Sequence, residues 1–157
     1  MSVLVDSSVW IAAASALNAE CRKLKRMIVA GEPIVVTRII QMEVTQGARS
    51  EVEWQRLWDS LDGFPILELT DRHWALASSN YFRCRKRGIT PSSVDCLIAT
   101  LAADHRVPLW TLDRGFISAS MIAASSGTCR IPRPARLLKR RAARRQPSVK
   151  SRVHPRL

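Results

Sequence analysis

The 157-residue chain lacks several features that usually identify a functional site in a sequence. Its four cysteines form no C-x-x-C pair, which argues against a zinc knuckle and against a disulfide framework. Its six glycines form neither G-x-x-x-x-G-K-[ST] nor G-x-G-x-x-G, so no nucleotide-binding loop is predicted. The three histidines lie on predicted helices or in the terminal segment, and none suggests a general base.

Features of targeting and membrane insertion are also missing. No run of about 18 apolar residues occurs, so we expect no membrane span. The N-terminus has no basic region and Asp6 interrupts its apolar run, so we expect no signal peptide. Scattered cysteines are typical of a reducing compartment. These features together predict a soluble, cytoplasmic protein.

Acidic residues are absent from one part of the chain, which makes the charge distribution uneven. Residues 1–128 contain 14 basic and 13 acidic residues, a net charge of +1. Residues 129–157 contain 11 basic residues and no acidic one, a net charge of +11. We therefore predict a near-neutral domain over 1–131 and a basic, flexible tail over 132–157. Such a tail favours salt-sensitive, sequence-independent binding to RNA phosphates, although a solvated segment without function explains the same composition.

Short apolar runs alternate with helical patterns along the domain, which predicts a parallel α/β sheet covered on both faces. The glycines at 31 and 47 are expected to end helices, and Pro91 is expected to open the helix with the clearest apolar periodicity. The predicted strands are 3–5, 33–36, 66–69, 109–112 and 128–131, and the predicted helices are 9–14, 19–30, 38–46, 51–61, 71–87 and 90–107. The hydroxyls of Ser7 and Ser8 are expected to cap the first of these helices.

Four carboxylates occupy informative positions in this pattern. Asp6 and Asp113 each follow a predicted strand, and ligands of open α/β sheets bind at the carboxyl ends of strands. Asp95 lies in the first turns of the clearest helix. Glu43 projects between Ile39 and Ile40 on a helix face that should be buried, where a carboxylate needs a partner or must be neutralised.

Each carboxylate also has a purely structural interpretation. Asp6 is suited to capping the first helix, and Ser92 with Asp95 matches a capping box. Asp113 is typical of a turn, and Glu43 is compatible with a buried arginine partner.

The four carboxylates are more informative as a set. If they converge, they repel each other unless a cation lies among them, and oxygen ligands without His or Cys favour Mg²⁺ or Mn²⁺. Such a site activates water and stabilises charge on a phosphate, so phosphodiester hydrolysis is the predicted reaction.

Four short motifs follow one another along the domain: V-L-V-D-S-S-V-W near the N-terminus, M-E-V followed by Gly47, V-D-C-L-I-A-T-L-A and P-L-W-T-L-D-R-G-F. In this order they resemble the PIN-domain family, and in particular the VapC-type toxins of bacterial toxin–antitoxin pairs. The resemblance covers about residues 2–131. This chain departs from the family pattern at Gly115, the residue before Phe116, because many relatives carry an acidic residue at that position.

The resemblance implies a three-layer α/β/α sandwich on a short, mostly parallel sheet. It also implies a metal-dependent endoribonuclease that cleaves structured RNA, tRNA foremost, with Mg²⁺ as cofactor and Mn²⁺ as a substitute. The metal-binding and catalytic acids map onto Asp6, Glu43, Asp95 and Asp113, with Ser7 and Thr111 in supporting positions. The implied partners are the RNA substrate, a VapB-type antitoxin and a second copy in a homodimer.

Two other functions compete with this one. A non-catalytic RNA-binding module with a degenerate acidic pocket is compatible with Gly115 and with the basic tail. A phosphatase of the haloacid dehalogenase type also carries an aspartate after its first strand, but it needs a second aspartate at position 8, which is serine here.

Overall fold

The computed structural model describes residues 2–15, 18–113 and 116. This part of the chain contains three short strands and six helices. In chain order they are β1 (Val3–Val5), α1 (Ser7–Ser15), α2 (Ala19–Val29), β2 (Ile34–Val35), α3 (Arg38–Thr45), α4 (Glu51–Asp62), α5 (Asp71–Lys86), α6 (Ser93–Asp104) and β3 (Leu109–Trp110).

The three strands form a parallel sheet in the order β2-β1-β3. In the register, Leu4 of β1 is opposite Val35 of β2 and Leu109 of β3. Strand β1 is therefore the central strand, and its carboxyl end at Val5 lies between two neighbours. The residue that follows β1, Asp6, is thus held at the middle of the sheet edge.

The helices cover both faces of this sheet. Successive side chains of a strand point to opposite faces. Leu4 packs into a core cluster with residues of α3, α4 and α6, whereas the next residue, Val5, packs with α1 and α2. This arrangement is the predicted three-layer sandwich, and the prediction of an α/β fold is confirmed.

Helix α6 is the central helix of its layer. All residues from Cys96 to Ala103 are buried, so the helix is enclosed on every side rather than along the predicted apolar stripe alone. One side of α6 packs against the sheet through Ile98, and another packs against α5, where Asn80 donates a hydrogen bond to Thr100 over 2.9 Å. Its small residues allow this close packing on several sides.

Several predicted boundaries are wrong. The predicted strand 66–69 is reduced to a single parallel bridge between Val36 and Ile66, because Val36, the residue after β2, is followed directly by Thr37, which already caps α3. Helix α6 begins at Ser93 rather than at Pro91, because the Ser92 hydroxyl accepts a hydrogen bond from the Asp95 amide and fixes the N-cap there.

Two further boundaries concern the site. Helix α1 begins at Ser7, so Asp6 and not a serine stands at its N-terminal end. Strand β3 ends at Trp110, so Asp113 lies three positions beyond the strand rather than directly after it. The predicted strand 128–131 and the tail 132–157 lie outside the described residues. None of the helices in the described part is long and apolar enough to cross a membrane.

Candidate functional site

Asp6 is the most firmly held carboxylate of the sheet edge. Its side chain is buried, with the residue 3% exposed, at the carboxyl end of β1. Oδ2 accepts hydrogen bonds from the Ser8 amide at 3.3 Å, the Ser8 hydroxyl at 2.5 Å and the Thr111 hydroxyl at 2.9 Å. Three donors on one oxygen fix the rotamer of this carboxylate.

The turn after β3 is tied to the same carboxylate. The Leu112 amide donates to the Ser8 hydroxyl over 3.1 Å, and the Asp113 amide donates to the Thr111 hydroxyl over 3.0 Å. Ser8 and Thr111 therefore each receive a backbone hydrogen bond from the turn and each donate to Asp6. Through these bonds the two ends of the neighbouring strands act as one unit.

Glu43 lies on α3 and is half-buried beside this unit. Burial raises the pKa of its carboxyl group, the hydrogen bond with the Ser7 hydroxyl lowers that pKa, and the negative charges of Asp6 and Asp95 raise it. None of the ion pairs within the described residues includes Glu43, so the alternative of a buried arginine partner receives no support there. Three carboxylates from three elements thus interact electrostatically.

Ser7 connects two of these carboxylates. Its hydroxyl hydrogen-bonds with Glu43 and lies 3.5 Å from Asp6 Oδ1. A serine hydroxyl has one hydrogen to donate, so it cannot serve both carboxylates fully at once. The supporting position predicted for Ser7 is therefore at the contact between the two acids.

Asp95 is both a helix cap and a member of the acidic group. Its carboxylate accepts a hydrogen bond from the Ser92 amide at 3.3 Å, and its own amide donates to the Ser92 hydroxyl at 3.0 Å. The capping box predicted from the sequence is present. The same side chain is half-buried and acts on the pKa of Glu43, so the structural interpretation does not replace the functional one.

Asp113 occupies a different environment from the other three acids. It is exposed, and it is not among the charges that shift the pKa of Glu43. Its amide bond to Thr111 nevertheless holds its backbone next to a residue that contacts Asp6. The structure thus brings Asp6, Glu43 and Asp95 together and places Asp113 at the border of that group.

Ser8 is the site residue that the sequence reasoning missed. It makes the shortest hydrogen bond to Asp6 and also accepts one from the turn after β3. The signal was present in the D-S-S order, because a serine two positions after an aspartate at a helix start can reach back to the aspartate side chain.

The donor set suits a hard divalent cation. Carboxylate and hydroxyl oxygens are the ligands of Mg²⁺ and Mn²⁺, and a cation removes the repulsion between Asp6, Glu43 and Asp95. Among the residues that the structure describes, no three His, Cys, Asp or Glu side chains already enclose a position for an ion. Oxygen donors of this kind, when they hold such a cation, can stabilise charge on a phosphate.

Comparison with known proteins gives one family and one curated relative. The model of the PIN domain family matches residues 3–120. Ribonuclease VapC51 of Mycobacterium tuberculosis is 35% identical over 94 residues, which are 58% of this chain and 65% of the relative. The chain therefore spans slightly less than two thirds of that relative's length.

Two solved structures share the fold at low sequence identity. VapBC2 from Rickettsia felis, bound to a DNA fragment from its promoter, has a TM-score of 0.60 at 17% identity and is matched over 72% of this chain and 88% of its own. FitAcB from Neisseria gonorrhoeae has a TM-score of 0.57 at 17% identity, over 79% of this chain and 94% of its own.

Proposed function

The chain belongs to the PIN-domain family, and we propose that it is a divalent-metal-dependent endoribonuclease that acts as the toxin of a toxin–antitoxin pair. The curated relative is itself a ribonuclease, which supports RNA as the substrate class. Structured RNA, with tRNA foremost, is the substrate that we propose to test first. A VapB-type antitoxin is the proposed partner, supported by the fold shared with VapBC2, and a homodimer is the proposed assembly.

One observation carries the proposal: Glu43 interacts electrostatically with Asp6 and with Asp95. These residues come from the end of β1, from α3 and from the start of α6, so only the folded chain brings them together. Gathering acidic groups opposes folding through their mutual repulsion and desolvation, and binding of a cation is the function that matches their charge.

The proposed site is formed by Asp6, Glu43 and Asp95, with Asp113 at its border. A divalent cation bound there supplies positive charge that stabilises the negative charge developing on the phosphate during in-line displacement. Asp6 would hold it with an orientation fixed by Ser8 and Thr111. Asp95 would do so from a capped helix start, whose first turn has little freedom to move.

The remaining residues orient the acids. The Ser7 hydroxyl separates Asp6 from Glu43 and donates a hydrogen bond into the group. Since burial raises the pKa of Glu43, the ionised form of that residue benefits most from a cation. Asp113, exposed beside the turn after β3, would meet an incoming ligand from the solvent side.

The test is incubation of the purified chain with total bacterial tRNA in Mg²⁺ or Mn²⁺, followed by gel electrophoresis. We expect discrete cleavage that disappears with EDTA and in the Asp6→Asn and Asp95→Asn variants. Asp59→Asn is the matched control, because Asp59 is exposed on α4 and accepts a hydrogen bond from Gln55 of the same helix. RNA binding without cleavage in either metal would contradict the nuclease and favour a non-catalytic RNA-binding module.

A further inference from the structure

The C-terminal end of α5 presents basic side chains beside an exposed aromatic ring. We define the α5-end cluster as Phe82, Arg85, Lys86 and Arg87, all of which are exposed. Phe82 is 60% exposed, and the Lys86 ammonium lies 5.5 Å from the centroid of its ring. In the part of the chain that the structure describes, no ion pair includes Arg85, Lys86 or Arg87.

The segment around the cluster carries no acidic residue. Residues 72–94 contain five basic residues and no acidic one, although the chain before residue 129 is close to neutral. An exposed Phe among basic residues is also unusual, because aromatic side chains normally bury most of their surface. The cluster therefore combines positive charge with a flat apolar face.

The packing of α5 against α6 places the cluster at the end of the helix pair where α6 begins with Asp95. His73 of α5 contacts Asp104 of α6 at 3.2 Å, at one end of the antiparallel pair. Asn80 contacts Thr100 at 2.9 Å in the middle.

At the other end of the pair, Cys84 packs against Cys96. The sequence numbers of these contacting pairs add up to nearly the same value, so Arg85, the next residue of α5, lies at the same height along the helix pair as Asp95. Cys84 faces α6, so Phe82 and Lys86, two positions before and after it, lie on the side of α5 away from α6. The α5-end cluster and Asp95 are therefore at the same end of the helix pair, whose axes are about 8–10 Å apart, and a strand several nucleotides long that crosses this end would reach both.

The other basic cluster of the domain lies in a different layer. Arg22, Lys23, Lys25 and Arg26 are exposed on α2, and α2 packs against the sheet through Leu24 and Met27, on the face of Val5. Helix α6 packs against the opposite face, on the side of Leu4. The α2 cluster also has an acidic neighbour, Glu20, in the first turn of its helix.

We propose that the α5-end cluster holds single-stranded RNA beside the acidic site, an inference that rests on the proposed ribonuclease function. Arg85, Lys86 and Arg87 contact phosphates, and Phe82 stacks on a base. Stacking on aromatic side chains combined with a positive surface is the usual mode of binding single strands. Because the strand needs unpaired bases at this point, the cluster favours cleavage within a loop of a structured RNA.

The test measures binding of a short, fluorescein-labelled single-stranded RNA of mixed sequence by anisotropy, with the full chain carrying Asp6→Asn to prevent cleavage. One variant adds Arg85→Glu and Lys86→Glu, a second adds Phe82→Ala, and a control adds Lys25→Glu and Arg26→Glu on α2. The two charge reversals change the net charge equally, and the basic tail is the same in all proteins.

We expect the α5 charge reversal to weaken binding about tenfold or more. It should also reduce the slope of log Kd against log salt concentration by about 0.7 for each phosphate that the protein no longer neutralises. Phe82→Ala should weaken binding about fivefold or more with little change in the salt slope, because it removes stacking and not charge. The α2 control should change affinity much less.

Equal reductions of affinity in the α5 and α2 variants would overturn the inference, since they would show a general effect of net charge. Unchanged affinity in both α5 variants would overturn it as well. If the chain without Asp6→Asn still cleaves tRNA in those cases, the ribonuclease function stands and only the placement of the RNA is wrong. If that chain neither binds nor cleaves RNA, the proposed function fails with it.

Discussion

At the scale of single residues, two of the site carboxylates serve the backbone and the site together. Asp6 accepts the Ser8 amide at the start of α1, and Asp95 accepts the Ser92 amide at the start of α6. An ionised carboxylate has two oxygens and about four positions that accept hydrogen bonds. The bonds that Asp6 accepts from Ser8 and Thr111 fall on Oδ2, so Oδ1, which accepts the long 3.5 Å bond from Ser7, keeps capacity for a ligand. Capping and cation binding are therefore compatible, and each cap restricts the motion of the group that would bind the cation.

Substitution of Glu43 separates stability from function. Burial and the neighbouring acids raise the pKa of Glu43 above its ordinary value of 4.5. Ionisation of Glu43 therefore begins to destabilise the folded state above pH 4.5, and the full effect is present at every pH above the raised pKa. We predict that Glu43→Gln, in EDTA at pH 7, raises the free energy of unfolding. Each kcal/mol gained corresponds to a rise in Tm of about 2–4 °C in a chain of this size.

The pH dependence checks the cause of this effect. The advantage of Glu43→Gln should shrink as the pH falls through the raised pKa and disappear below 4.5, because the wild-type carboxyl is then neutral in both the folded and the unfolded state. Glu68→Gln is the control, since Glu68 is exposed. A lower Tm of Glu43→Gln than of the wild type in EDTA at pH 7 would contradict the interpretation of Glu43 as a destabilised carboxylate.

The sequence indicated which acids the fold brings together better than it indicated the contacts that surround them. Asp6 was predicted from the apolar run before it, and Glu43 from its position on a buried helix face. The hydrogen bonds of Ser8 with Leu112, and of Thr111 with Asp6, join residues more than 100 positions apart. No local pattern contains such contacts, which is why Ser8 was missed, whereas the turn position of Asp113 was one of the alternatives that the sequence offered.

At the scale of elements, the start of α6 links helix stability to site geometry. Ser92 caps this helix through the amide of Asp95, so loss of the hydroxyl loosens the turn that carries a site carboxylate. Removal of a Ser cap costs about 0.5–2 kcal/mol. We predict that Ser92→Ala lowers both the free energy of unfolding and the rate of metal-dependent RNA cleavage.

Ser50→Ala on α4 provides the matched comparison. Ser50 caps that helix in the same way, through the Glu53 amide at 3.2 Å, but it holds no site residue. Urea unfolding should show similar losses of stability in the two variants, whereas cleavage below their melting temperatures should fall only in Ser92→Ala. Equal activity of the two variants would argue against a positioning role for the cap.

Long, periodic elements were predicted well and short ones were not. Helices α3, α4 and α5 fall within one or two residues of their predicted ends, because caps and glycines define those ends in the sequence. The predicted strand 66–69 failed because pairing with β2 stops where α3 begins, which depends on tertiary contacts. Strand β3 is shorter than its apolar run for the same kind of reason: Thr111 hydrogen-bonds with Asp6.

At the scale of the whole molecule, the alternation of Leu4 and Val5 between two cores produces the three-layer sandwich. The fold and the PIN-domain resemblance predicted from the sequence are confirmed. The order of four individually short motifs carried that prediction, since their spacing reflects the fold. The basic tail, the metal and the RNA stay predictions, because charge composition identifies a class of ligand and not a binding geometry.

The most direct test of whether Asp6, Glu43 and Asp95 form one cation site is to measure Mn²⁺ binding to the purified chain without RNA. Isothermal titration calorimetry gives the affinity. We predict saturable binding by the wild-type protein and by Asp59→Asn. Affinity should weaken about tenfold or more in Asp6→Asn and in Asp95→Asn, since changing even a residue that only orients a metal ligand costs about 10–100-fold in metal affinity. Equal Mn²⁺ affinity in the wild type and in these two variants would contradict the proposed site.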